Sequence, residues 1–158
     1  MARYNAWQNQ SVYSAAETLD DAARRLDRGA FFGSIHATLC HLLWADLIWM
    51  SRFAGTPRPA APGIEASASM ISGWNELKRE RVQTDELILS WASEVKQDWL
   101  ADELTWRSGA AGREVSKPCW QLVAHFFNHQ THHRGQVHAM LTAAGARLDD
   151  TDLFYMDA

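Results

Sequence analysis

Apolar residues recur at three- and four-residue spacings over long stretches of the chain, which is the period of an amphipathic α-helix. The first such stretch covers residues 3–28 and stops at Gly29. A second follows Ser34, whose side chain suits an N-cap, and ends at Gly55. Because this second stretch is apolar nearly all round, we expect it to be the most buried helix of the fold.

Two more helices and a hairpin are predicted in the remainder of the chain. The pattern predicts a third helix over about 67–99 and a fourth over 118–145, with Pro118 in its first turn. Between them, residues 103–116 alternate between apolar and polar positions on either side of a Gly109–Gly112 turn. Such alternation around a glycine turn is typical of a small β-hairpin.

Four long helices favour an all-α fold, a four-helix bundle that forms a single domain over residues 1–158. Only a few residues join the first two helices, so we expect these helices to be antiparallel neighbours. The linker "GTPRPAAPGIEAS" holds three of the four prolines, and about 12 residues of it can span roughly 40 Å. A 20-residue helix is about 30 Å long. The linker can therefore run back along the bundle, which predicts an up-down-down-up order with a long crossover between helices 2 and 3.

Charge and cysteine content narrow the partners and the location. The formal net charge of −4 gives no basic field for a nucleic-acid backbone, so we expect no nucleic-acid partner. No uninterrupted apolar run approaches the roughly 20 residues of a membrane span, and the N-terminus lacks the pattern of a secretory signal. Cys40 and Cys119 lie in apolar helical stretches and in no CxxC pair. These features predict buried free thiols in a cytoplasmic protein without a membrane partner.

Four of the seven histidines lie in "NHQTHHRGQVH", residues 128–138. They could be metal ligands, general bases, a pH-sensing surface or incidental. Because a helix turns by about 100° per residue, His129 and His133 share one face at the i, i+4 spacing that lets two side chains reach one ion. His132 lies at the margin of that face, and His138 points to the opposite side. The HxxxH pair alone is a weak indication of a metal site.

His41, in the most apolar stretch, strengthens that indication. A single histidine on an apolar face is usually a hydrogen-bonded core residue. Combined with the His129–His133 pair on another core-facing helix, however, His41 completes the geometry of three neutral nitrogen ligands around one divalent ion. His36 lies about 140° from His41 around the same helix, so we expect it at the helix start or at the surface.

A site with three imidazole ligands leaves at least one coordination position open, which is the catalytic pattern for such ions. Imidazoles suit zinc, nickel and several other metals. Helix 4 carries no Asp or Glu between Pro118 and Gly145, so it offers no HExxH general base. Asp46 comes five residues after His41 and diverges from the metal face. We expect it either to pair with Arg134 or to be a solvated or capping residue.

Three segments of the chain carry a resemblance to a known family: "YNAWQN" at 4–9, "GSIHATLCHLLWADLIWMSRF" at 33–53 and "NHQTHHRGQV" at 128–137. Together they resemble the DinB/YfiT-like family of metal-dependent enzymes, which is unrelated to the DNA polymerase of the same name. The resemblance implies an up-down-down-up bundle with a long crossover, and a homodimer.

The resemblance also implies a set of site residues. It assigns the divalent metal to His41, His129 and His133, with His132 at the edge of the site. Three residues of the N-terminal motif match the family and could border the pocket: Tyr4, Asn5 and Trp7. For Trp7, a position in the core is the stronger interpretation.

These observations leave several functions open. The first is a metal-dependent enzyme acting on a small molecule. For this function, the resemblance implies either an S-transferase or isomerase that uses a low-molecular-weight thiol, or a hydrolase. The second is a non-catalytic metal-binding protein of the stress response to damage. A third is a plain helical scaffold, which would require the histidine arrangement to be a coincidence. A bundle fold by itself does not choose among them.

Overall fold

The computed structural model describes residues 1–156, and most of them are helical. Within that range there are seven α-helices, one 3-10 turn and one two-stranded antiparallel sheet. The elements are α1 (Ala2–Glu17), α2 (Asp21–Arg25), α3 (Ile35–Phe53), α4 (Ile64–Ser67), α5 (Trp74–Glu94), α6 (Gln97–Ala101), β1 (Glu103–Ser108), β2 (Arg113–Pro118), α7 (Cys119–Ala143) and the 3-10 turn Leu153–Tyr155.

The first predicted helix is interrupted, so the prediction of one continuous helix over 3–28 is wrong. α1 ends at Glu17, and Asp20 then starts α2 by accepting a hydrogen bond from the backbone N–H of Ala23 at 2.7 Å. Aspartate at this position acts as an N-cap, because its side chain satisfies a backbone donor that a continuing helix would use itself. The periodic alanines and leucines conceal this break.

The third predicted helix is also shorter than the expected 67–99. α5 starts after Gly73, which is extended, and ends where Val95 becomes extended. Before α5, the short helix α4 ends at Ser67 and residues 68–73 form no helix; after it, the chain forms the separate short helix α6. The break at Val95 lets Trp99 fold back, with its ring 5.6 Å from that of Phe53. Burial of this indole therefore overrides the helical periodicity of the segment.

The other predicted elements are confirmed with small shifts at their ends. The hydroxyl of Ser34 accepts from the backbone N–H of Ala37 at 3.2 Å and caps α3. No residue of α3 is exposed, whereas α1, α5 and α7 each have an exposed side. Pro118 immediately precedes α7, and the hairpin pairs β1 with β2 around the expected turn.

The four long helices, α1, α3, α5 and α7, contact one another in pairs. α3 and α1 each contact both α5 and α7. One apolar cluster includes Leu39, Leu77 and Leu141, and a second includes Met50 and Phe126. The hairpin joins the second cluster. Among residues 1–156, no helix has the length and apolar character needed to cross a bilayer.

Both cysteines are free and buried, as predicted. Cys40 lies in the first apolar cluster, and burial raises the pKa of its thiol to about 11. Cys119 is the first residue of α7.

Candidate metal centre

Helices α3 and α7 bring three histidines together. His41 comes from α3, and His129 and His133 come from successive turns of α7. Each offers one ring nitrogen, and these three nitrogens all lie within 4.8 Å of one another. The Nε2 atoms of His129 and His133 are 3.2 Å apart. The three side chains predicted to share an ion are thus placed together, and we call them the three-histidine group.

Hydrogen bonds fix which nitrogen of His41 is free. Its Nδ1 lies 2.8 Å from the hydroxyl oxygen of Ser67 on α4. That hydroxyl donates its proton to the carbonyl of Ile64, so its oxygen accepts from the Nδ1–H of His41. The lone pair of His41 is therefore on Nε2, the nitrogen available to a metal.

A second bond of this kind orients His133. Its Nδ1 lies 2.8 Å from Oε1 of Gln136, an amide oxygen that can only accept. Nδ1 must then carry the proton, which leaves the lone pair on Nε2. A partner that holds the proton on the distal nitrogen is the usual way in which proteins orient histidine ligands.

The donor set fits a divalent transition metal. Two imidazole nitrogens, each 2.0–2.1 Å from a tetrahedral ion, would lie roughly 3.3 Å apart. The Nε2 atoms of His129 and His133, at 3.2 Å, nearly match this spacing. The group contains neither carboxylate nor thiolate. Three neutral nitrogen ligands suit zinc and nickel.

Aromatic rings cover one side of the group and help to keep it neutral. Phe32 stacks on His41, with ring centroids 4.0 Å apart, and the ring of Trp44 is 5.8 Å from it. Burial lowers the pKa of His41 to about 4 and that of His129 to about 3, and it also lowers the pKa of His133. At neutral pH the imidazoles are thus unprotonated, as metal ligation requires.

The other histidines of α7 lie outside the group. His132 is exposed beside it, with its ring centroid 4.9 Å from that of His133. Its Nε2 accepts from the side-chain amide of Gln136 at 3.3 Å. The predicted marginal position of His132 is therefore correct, and His138 does not join the three nitrogens.

His36 differs from expectation in its burial. It lies at the start of α3, as one of the two alternatives predicted, but only 3% of it is exposed, so the surface alternative is wrong. Its Nε2 is 2.8 Å from the carbonyl oxygen of Ile71, which fixes this histidine to the segment before α5.

Asp46 forms a different ion pair from the one predicted. Nη1 of Arg81 donates to Asp46 Oδ2 at 2.6 Å, and the amide of Gln130 donates to Oδ1 at 2.8 Å. Arg134 instead donates to Oδ1 of Asn5. The prediction of an Asp46–Arg134 pair is therefore wrong because α5 supplies a nearer guanidinium. The alternative of a solvated or capping Asp46 is also wrong, because the residue is 1% exposed.

The N-terminal motif residues contact other parts of the molecule. The hydroxyl of Tyr4 donates to the carbonyl of Thr151 at 2.7 Å, and its ring lies edge-on to Trp7. Asn5 is buried beside Arg134. None of these contacts involves the three-histidine group. Trp7, for which a core position was the stronger interpretation, is only partly buried.

Sequence reasoning missed the residues that orient and cover the ligands. Gln136 could have been found, because it comes three residues after His133 and so lies on the same helical face. Ser67 and Phe32 gave no such indication. Both lie outside the ligand helices and reach His41 only through the folded chain.

Comparison with known proteins agrees with this fold. The sequence model of the DinB family matches residues 1–158. The chain is 27% identical over 154 residues to Protein DinB of Bacillus subtilis (strain 168), covering 94% of this chain and 87% of that protein. Its structure is similar to the crystal structure of a DinB-like protein from Bacillus cereus ATCC 10987, with a TM-score of 0.64 and 16% identity over 91% of this chain and 90% of the other. Because the family model covers the whole chain, the protein belongs to the DinB family.

Proposed function

We propose that this protein is a metal-dependent enzyme whose three-histidine group holds a divalent ion, with zinc or nickel as the best candidates. The observation that carries the proposal is the convergence of three neutral ring nitrogens within 4.8 Å. On His41 and His133 the other ring nitrogen is engaged by Ser67 and Gln136. On both of these rings, Nε2 is therefore the nitrogen left to bind an ion.

The remaining surroundings of the group favour catalysis over a purely structural ion. Structural zinc sites are usually closed by four protein ligands, often cysteines. This group supplies three, and neither cysteine of the chain belongs to it. An ion bound there would supply Lewis-acid activation of a water molecule or a thiolate. Phe32 and Trp44 would limit the access of bulk water to His41.

We propose thiol-dependent S-transfer or hydrolysis of a small molecule as the reaction. Both reactions use an open position on the ion, and a low-molecular-weight thiol would serve as co-substrate in the first. The exposed His132 lies at the edge of the group, beside His133. The non-catalytic alternative, a metal-binding protein of the stress response, predicts the same bound ion without turnover.

We also propose that α1, α3, α5 and α7 form a single-domain bundle in up-down-down-up order. The parallel middle pair is the distinctive feature of this order. Contacts between α3 and α5 advance in the same direction along both helices: Asp46 meets Arg81, and further on Phe53 stacks on Trp91. The long crossover through α4 gives the chain the length to return between them.

A homodimeric state and a cytoplasmic location complete the proposal. The first rests on family membership, and light scattering coupled to size-exclusion chromatography would test it. The second is supported by the two free, buried cysteines.

Metal content tests the central proposal. The protein, purified without chelator, is compared with His133→Ala and with His138→Ala, a control on the same helix outside the group. We expect close to one ion per chain in the parent and the control, and little in His133→Ala. Absence of metal from the purified parent, with none taken up on titration, would contradict both the enzyme and its non-catalytic alternative. With metal confirmed, a screen of thiols with electrophilic or ester substrates separates turnover from passive binding.

A further inference from the structure

Arg52, near the end of α3, is a partly buried cation held by aromatic rings. Its guanidinium carbon lies 4.4 Å from the ring centroid of Trp49 and 5.4 Å from that of Trp106 on the hairpin. Within residues 1–156, no carboxylate forms an ion pair or hydrogen bond with it. Burial, and to a lesser extent the positive charge of Arg58, lowers the pKa of Arg52 to about 10. A desolvated charge without a counter-ion is costly, so it calls for a partner.

Arg58 adds a second positive charge from the crossover. It is exposed, and in the part of the chain that the structure describes it too has no acidic partner. By contrast, Arg25 and Arg81 each pair with aspartates. The charge of Arg58 acts on Arg52, so the two arginines together place two positive charges on this surface. We call Arg52, Arg58 and the two tryptophans Trp49 and Trp106 the arginine patch.

The arginine patch is connected to the three-histidine group by direct ring contacts. The ring of Trp49 is 5.3 Å from that of His125, which is 5.8 Å from that of His129. Arg52 also comes eleven residues after His41, which is close to three full turns of α3. The two positions therefore share one side of the helix and are separated by about 16 Å along its axis.

We propose that the arginine patch binds the anionic group, a carboxylate or phosphate, of an elongated small-molecule substrate whose reacting end lies at the three-histidine group. This inference rests on the proposed function and names its substrate class. Arginine presents paired N–H donors that match both anions. The two indole rings lie against the guanidinium and limit its movement. The ring of His125 contacts both Trp49 and His129, so it lies between the two sites.

The test is a phosphate titration of the zinc-loaded, 15N-labelled protein at constant ionic strength, followed through the Nε–H signals of the arginine side chains. We expect a saturable shift of the Arg52 signal. A parallel titration with acetate tests whether a carboxylate binds in the same way. In Arg52→Gln the phosphate affinity should fall at least about tenfold, since charged hydrogen bonds are lost. Arg58→Gln, at an exposed position, should weaken it less. Arg79→Gln makes the same charge change at an exposed site on α5 and should leave the affinity unchanged.

Repeating the titration after removal of zinc separates the patch from the ion. Saturation that persists in the metal-free protein supports the patch. Shifts that never saturate, affinities equal in Arg52→Gln and the parent, or binding that disappears with the zinc would each overturn the inference. If the protein binds no zinc but the Arg52 signal still shifts to saturation with phosphate, the proposed metal-dependent function is wrong and anion binding at the arginine patch is supported. If zinc binds and phosphate does not, only the patch fails.

Discussion

Two groups of polar side chains each include residues of α3 and α7, and they are built in opposite ways. In the three-histidine group, neutral rings turn their free nitrogens toward one another. Deeper in the interior, charges of opposite sign meet and bond directly. We call this second group the buried ionic network, and its members are Asn5, Asn9, Asp46, Arg81, Asp85, Gln130 and Arg134.

The difference between the two groups separates a structural role from a binding role. In the buried ionic network, Arg81 meets the carboxylates of Asp46 and Asp85 at 2.6 and 2.9 Å, so its charge is balanced within the protein. Burial alone would lower the pKa of Arg81, but the two aspartates raise it. The three-histidine group contains no charge that balances another. Its ring nitrogens meet only one another, with the Nε2 atoms of His129 and His133 at hydrogen-bond distance, so a cation would bind there without breaking an ion pair.

Removal of a carboxylate from the network should give the largest effect on stability. Asp46→Ala leaves Arg81 buried with half of its counter-charge and leaves the amide of Gln130 without its acceptor. We expect the free energy of unfolding to fall by about 3–5 kcal/mol, as for other broken buried pairs. Urea denaturation of the metal-free protein measures it.

Two variants sharpen this result. Asp46→Asn keeps an oxygen for Arg81 and should cost less than Asp46→Ala. His133→Ala, also in metal-free protein, should cost less again, because no charge in the protein depends on that ring. A loss for His133→Ala equal to that for Asp46→Ala would contradict the division into a structural network and a binding site.

Metal removal should give the next largest effect, and only at the three-histidine group. An ion that binds the folded chain stabilises it by mass action, by about 2.7 kcal/mol when free metal is at 100 times its Kd. We therefore expect chelation to lower the Tm of the parent protein. His133→Ala should melt at the same temperature with and without chelator. A parent Tm that stays constant after complete removal of the metal would disprove this expectation.

Loss of the bond that orients His41 should have a smaller effect, confined to affinity. Ser67→Ala removes the acceptor for the Nδ1–H of His41. Substitution of such partners typically weakens metal binding by about 10–100-fold. Competition with a chromophoric chelator measures the change. Ser69→Ala is a matched control, because this exposed serine bonds only to the carbonyl of Ala66 nearby. Equal affinities for the two variants would mean that Ser67 does not position the ligand.

The sequence predicted the histidine ligands better than their surroundings for a physical reason. His129 and His133 are one helical turn apart, so local geometry alone brings them together. His41 could be added because its helix is apolar throughout and must face the core. Arg81, in contrast, lies in the charged stretch "LKRERVQTDE", where nothing local distinguishes the one buried guanidinium from its exposed neighbours. Its role depends on the packing of α5 against α3.

For the fold too, features set by local periodicity could be predicted from the sequence and features set by longer-range contacts could not. The long amphipathic stretches and the hairpin could be predicted because their periodicity is local. The break after Glu17 could not, since one capping bond from Asp20 outweighs a helical pattern that continues past it. Ser67 depends on the path of the crossover, which no periodicity describes.

The smallest expected effect is a difference in pH dependence between the metal-free parent and His129→Ala. Unfolded histidines take up protons near pH 6.5, whereas burial lowers the pKa of His41 to about 4 and of His129 to about 3 in the folded protein. The unfolded state therefore binds more protons between these values, so the free energy of unfolding falls as the pH is lowered from 6.5 toward 4. The stability that the folded protein has with these two histidines neutral is therefore fully present above pH 6.5 and is lost as the pH falls below it.

Urea denaturation at several pH values should show a shallower fall in His129→Ala, because one depressed histidine pKa is removed. The difference is modest because His129 is only partly buried, so water still hydrates part of its ring. His138→Ala should follow the parent. Parallel pH curves for the parent and His129→Ala would mean that the group is already protonated or already hydrated in the folded chain. In that case it would resemble an ordinary surface cluster, and its contrast with the buried ionic network would disappear.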